Sequence, residues 1–67
     1  MTDSAIYAYQ KCVEATPEIP EAWYSLGTAC EAAGKQEEAR GALAKALQLA
    51  PNAPEVKNAY DRVNTRK

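Results

Sequence analysis

Histidine is absent from this chain, so the commonest general base of enzymes is missing. The groups left for chemistry are two cysteines, a few paired carboxylates and a basic end. Cys12 and Cys30 form no Cys-x-x-Cys pair, and two cysteines are too few for a disulfide framework. Both fall on apolar helical slots, where cysteine behaves as a small inert hydrophobe. They are expected to be buried and reduced, in a cytoplasmic setting. Each lies near the C-terminal end of its own helix, so an antiparallel pairing separates them beyond the roughly 7 Å Cα reach of a disulfide. Glu37 and Glu38 open a helix, where the helix dipole favours acids. Glu18 and Glu21 are acidic without a catalytic companion. Gly27 has no second glycine beside it to build a phosphate loop. No catalytic, cofactor-binding or metal-ligating set emerges. Arg62, Arg66 and Lys67 form a basic end that either complements a helix C-terminus or anchors an acidic peptide.

The totals narrow the field further. A chain of 67 residues makes one small domain, burying only about 60% of the surface its unfolded form exposes. A formal net charge of −1 gives no electrostatic case for nucleic acid or an anionic membrane. No apolar run approaches the roughly 20 residues of a membrane span. The opening "MTDSAIYAYQ" lacks a basic stretch followed by an apolar one, so no secretory signal is expected.

The elements that position these groups are set by breakers. Pro17, Pro20, Pro51 and Pro54 cannot continue a helix. Gly34 in "EAAGKQEEA" reads as a left-handed helix cap. Between the breakers the spacing predicts helices over about 3–16, 20–33, 36–50 and 54–66. Ala22, Trp23, Leu26, Ala29, Cys30 and Ala33 make an apolar stripe on the second helix, and Ala39, Ala42, Leu43, Ala46, Leu47 and Leu49 make one on the third. No useful length alternates with period 2, so no strand is expected. Short loops imply antiparallel neighbours.

A repeat runs through these elements. Pro17 and Pro51 lie 34 residues apart, as do Pro20 and Pro54, Glu21 and Glu55, Lys11 and Lys45, Ala5 and Ala39, and Ala8 and Ala42. The period, together with Trp23, Leu26, Gly27, Ala39, Ala46 and Pro51 at their spacings, resembles the tetratricopeptide repeat. Cys30 stands where the family pattern has Tyr, and Leu43 where it has an aromatic; both keep an apolar side chain.

The resemblance implies an all-α, antiparallel helix-turn-helix array of four helices. Residues 20–53 would be one complete repeat. Residues 3–16 would be the second helix of a preceding one, with Cys12 in a small-residue slot. Residues 54–67 would be a capping helix, since Lys57 and Asp61 replace Trp and Gly with polar groups, as the end of an array requires. In the family, Gly and the two Ala mark places where paired helices approach closely. That accounts for Gly27, which costs a helix about 1 kcal/mol of propensity.

The resemblance also implies a non-enzymatic protein-interaction module whose first helices line a concave groove for a peptide or partner helix. In this chain the groove would present Tyr24, Thr28 and Glu31 from the second helix and Asn58, Arg62 and Thr65 from the last. Chaperone-tail binders of the family carry Lys and Asn on the first helix, where this chain has Tyr24 and Thr28, which argues against that class. The first helix lacks one neighbour. Its stripe of Ile6, Tyr9 and Val13, with Tyr7 beside it, is expected to be partly open, and a homodimer through this stripe is the structural alternative.

Overall fold

The computed structural model describes residues 2–65. Four helices follow one another among them: α1 (Thr2–Ala15), α2 (Pro20–Ala32), α3 (Gln36–Leu49) and α4 (Pro54–Thr65). The expected bounds hold to within one residue wherever the chain is described, and no strand occurs among the described residues. Residues 66 and 67 of the expected capping segment, including Arg66 and Lys67, lie outside the described range.

Local chemistry sets the helix ends. Pro20 and Pro54 open α2 and α4, where a missing backbone N–H leaves nothing unsatisfied. Gly34 has a φ of +81°, the left-handed conformation that ends α2. Around it the Lys35 N–H donates to the Cys30 carbonyl at 2.9 Å and the Gly34 N–H to that of Glu31 at 3.0 Å, a Schellman arrangement. The two proline turns are copies. Thr16 N–H donates to the Cys12 carbonyl and Ile19 N–H to that of Thr16; 34 residues on, Ala50 N–H donates to Ala46 and Ala53 N–H to Ala50. The sequence period is thus a period of backbone geometry.

The helices pack in chain order, each on the next. The α2–α3 contact is the most extensive, and α4 also touches α2. Leu43, Ala39 and Ala46 on α3 are fully buried, with Leu26 and Cys30 from α2 and Ala59 and Val63 from α4 around them. Gly27 explains how α2 comes so close. A Cβ built there would lie 2.5 Å from Leu43 Cγ and 2.8 Å from its Cδ2, with the Ala39 carbonyl at 3.3 Å. Leu43 has no room to yield, because nothing of it is exposed.

Three sequence expectations change on α1 and α3. Ile6 and Val13 are buried rather than open. They lie seven residues apart on one side of α1, and that side faces α2, the one helix α1 packs on among the described residues. Cys12 is exposed rather than buried. Its counterpart 34 residues on, Ala46, is fully buried between helices, whereas Cys12 lies on the side of α1 that has no helix against it. Leu49, at the end of α3, is also exposed. Tyr7 is 62% exposed, with the Lys11 ammonium 5.5 Å from its ring centre. Tyr9 is half-buried against the core. Trp23 serves the turn as well as the core, its indole N–H donating to the Pro17 carbonyl at 2.8 Å.

The close approach at Gly27 has a measurable consequence. Gly27→Ala improves helix propensity by about 1 kcal/mol, but overpacking a core costs typically about 1–3 kcal/mol. We expect a melting temperature lower by several degrees, since 1 kcal/mol moves a domain of this size by about 4–8 °C. Gly41→Ala is the internal control: it sits inside α3 with nothing within 4 Å of its added Cβ, so it should raise the melting temperature. Thermal melts in which the two variants shift the same way would refute the packing account.

Candidate functional site

Because α2 and α4 touch while α1 and α3 do not, the two first-type helices present one shared face. Tyr24, in the first half of α2, is half-buried. It forms one wall of a cleft of about 210 Å³. Pro20 and Val56 form the apolar floor with Ala50 and Ala53 of the α3–α4 turn, and Glu21 and Glu55 stand at the rim. Val56 is buried, and both glutamates are exposed.

Further along the face, Glu31 and Arg62 meet in a two-pronged ion pair. Arg62 Nε donates to Glu31 Oε2 and Nη2 to Oε1, both at 2.7 Å. The Glu31 side chain is only 10% exposed and that of Arg62 53%. The fork geometry of guanidinium suits a carboxylate held this way. The hydrogen bond to Glu31, then the charge of Glu31, pushes the Arg62 pKa up from its ordinary value; desolvation opposes this, and the nearby Tyr24 adds a smaller upward push. Arg62 therefore ties α4 to α2 rather than standing free at the C-terminus, and its charge is already matched.

The other sequence candidates lie on the same two helices with less commitment. Thr28 is half-buried and its hydroxyl donates to the Ser25 carbonyl at 3.0 Å. Thr65 is exposed and its hydroxyl donates to the Asp61 carbonyl. Asn58 is exposed. The cleft-lining Pro20, Ala53 and Val56 were not among the residues expected from sequence. The signal was present: Pro20 and Glu21 recur as Pro54 and Glu55, which places the same pair at the start of both helices.

No group of three or more His, Cys, Asp or Glu side chains is placed to hold a metal ion among the described residues. Cys12 and Cys30 are both free thiols. Among those residues, no helix is long and apolar enough to cross a membrane.

Paired antiparallel helices with a 34-residue period and a shared face on alternate helices define the class of α-helical repeat proteins. The family model described as tetratricopeptide repeat matches residues 2–54. The chain belongs to the tetratricopeptide repeat family, whose domains generally mediate protein–protein interaction and are typically non-enzymatic. The match ends where α4 begins, the helix in which Lys57 and Asp61 replace Trp and Gly. Comparison with curated proteins gives no match.

Cys30 gives this fold a pH signature. Burial pushes its thiol pKa up from the ordinary value; Glu38 adds to the shift and Lys35 opposes it. A thiol whose pKa is higher in the folded chain contributes stability that is full below its unfolded value, about 8.5, and is lost as pH rises through the folded value. Melting temperature should therefore fall between pH 8 and pH 10, and less so in Cys30→Ala measured against its own pH 8 value. Iodoacetamide at pH 8 should modify Cys12 in the folded chain and leave Cys30 until denaturant is added. Equal labelling of both thiols under native conditions would refute this.

Proposed function

We propose that the chain is a protein-interaction module whose α2–α4 face receives an extended peptide or a partner helix, with Tyr24 as its anchor. The observation that carries this reading is the Tyr24 cleft: an apolar floor, a half-buried phenol and a position between two helices of the same kind. Tyrosine supplies wide apolar contact with a hydrogen-bonding tip, and such residues dominate the binding energy of many interfaces. Thr28, one turn on from Tyr24 in α2, and exposed Asn58 in α4 are the further polar candidates, and Glu31 with Arg62 closes the far end of the face. Peptides recovered by display against the whole chain should lose affinity tenfold or more with Tyr24→Ala, while helicity stays at the parental level. Binding indifferent to Tyr24, with amide shifts confined to α1 or α3, would refute the reading.

A second reading, self-association through α1, draws on the 34-residue register. Ala39, Leu43 and Ala46 are fully buried, whereas Ala5 and Tyr9 at the matching places are only half-buried and Cys12 is exposed. These residues form the uncovered flank of α1, beside the Ile6 and Val13 side, while Tyr7 lies about 160° round the helix from Ala5 and Tyr9 and is no part of it. A two-fold homodimer is the commonest closed way to cover such a side. Sedimentation velocity should show a concentration-dependent dimer that Tyr9→Asp with Cys12→Asp abolishes. A chain that remains monomeric at about millimolar concentration would overturn it.

A further inference from the structure

We infer that the partner of the Tyr24 cleft is a cationic peptide segment, one that seats an aliphatic or proline side chain in the cleft and holds lysine or arginine beside it. This rests on the reading of the α2–α4 face as the binding face and adds the chemistry of what it binds.

The cleft selects for size first. At about 210 Å³ it is smaller than the clefts of about 300–1,000 Å³ that enclose drug-sized molecules. It has room for one or two side chains. The floor of Pro20, Val56 and two alanines offers no charged partner, so the inserted group is apolar.

The rim then selects for charge. Its ionisable groups that carry charge at neutral pH are Glu21 and Glu55, both carboxylates, and no basic residue lines the cleft. Both sit in the first turns of their helices, where the dipole favours acids. That accounts for their tolerance there and leaves their charges exposed to a ligand. The 34-residue repeat puts them at equivalent places on alternate helices, α2 and α4, so they flank the cleft from both. The cation on this face that would favour an acidic ligand, Arg62, is held by Glu31 through two 2.7 Å hydrogen bonds. An acidic peptide therefore meets two unmatched carboxylates and a guanidinium already engaged. A basic peptide meets two carboxylates open to pairing.

The test is selection of random dodecapeptides, displayed on messenger RNA, against the immobilised whole chain at low salt. Recovered peptides should combine lysine or arginine with a neighbouring aliphatic or proline residue. Glu21→Gln and Glu55→Gln should each weaken them about two- to fivefold, with circular dichroism unchanged. Raising salt to about 0.5 M should produce a comparable loss. Acidic or neutral peptides that depend on Tyr24 but ignore both glutamate variants would overturn the cationic partner and leave the face standing. Peptides indifferent to Tyr24 as well, or a library that yields no enrichment, would overturn both.

Discussion

The distance between α2 and α3 governs the rest of the molecule. It is fixed by the absence of a single side chain, since a Cβ at Gly27 would overlap Leu43 and press on the Ala39 carbonyl. With that spacing, Leu43, Ala39 and Ala46 lose all exposure. The burial of a leucine contributes roughly 1.5–3 kcal/mol, which exceeds the helix propensity that glycine forfeits. The same spacing lets α4 lie across both helices, packing Val56, Ala59 and Val63 inward and bringing Arg62 within reach of Glu31. The shared face is thus a consequence of the α2–α3 approach. Widening that pair would move the cleft walls and separate the ion pair together.

Apolar packing outweighs electrostatics as the source of stability. The pairs Lys11–Glu14 at 3.8 Å and Lys35–Glu38 at 4.0 Å are exposed and long, and such surface pairs contribute about 0–1 kcal/mol. Among the described residues the buried side chains are apolar, with no polar or charged one among them. Five of these eleven are small: Ala39, Ala42, Ala46, Ala59 and Cys30. Where these small residues meet, the backbones must be close, since a gap there forfeits dispersion contacts that an alanine cannot restore. Glycine and alanine at the contact are therefore the condition for a chain this short to close a core at all.

What could be read from sequence follows this division. The helices, their caps and the α2–α3 contact were legible because each is written locally, in proline and glycine positions and in apolar spacing over a few turns. Gly34 and the repeated Pro-x-x-Pro turns needed nothing beyond their neighbours in the chain. Cys12 was misread because its slot matches Ala46, and matching slots imply matching burial only when the same helices surround them. Ile6 and Val13 were misread for the converse reason, since α1 turns toward α2 a side whose partner the sequence does not name. The Glu31–Arg62 pair spans 31 residues, and no local pattern links two oppositely charged side chains at that separation. The candidate face falls on α2 and α4, as the repeat register implies, while its cleft depends on where the α3–α4 turn falls against α2.

The outward sides of α1 and α4 differ in chemistry, and the Gly27 contact shows what that difference means. At the matching positions α4 carries Lys57 and Asp61 in place of Trp23 and Gly27. Both are exposed. If even a Cβ at Gly27 would come within 2.5 Å of Leu43 Cγ, a Cβ bearing a carboxylate at Asp61 forbids a helix from meeting α4 at the α2–α3 spacing. The loss of Trp23's counterpart also removes the indole that binds the preceding turn at Pro17. A helix packed on α4 at Asp61 as α3 packs on α2 at Gly27 would meet both that steric bulk and the desolvation cost of a buried carboxylate. On the open side of α1, by contrast, Ala5, Tyr9 and Cys12 are uncharged and keep the small and apolar character of Ala39, Leu43 and Ala46. That character suits apolar packing against a helix, as Ala39, Leu43 and Ala46 pack against α2, on a side of α1 remote from the α2–α4 face.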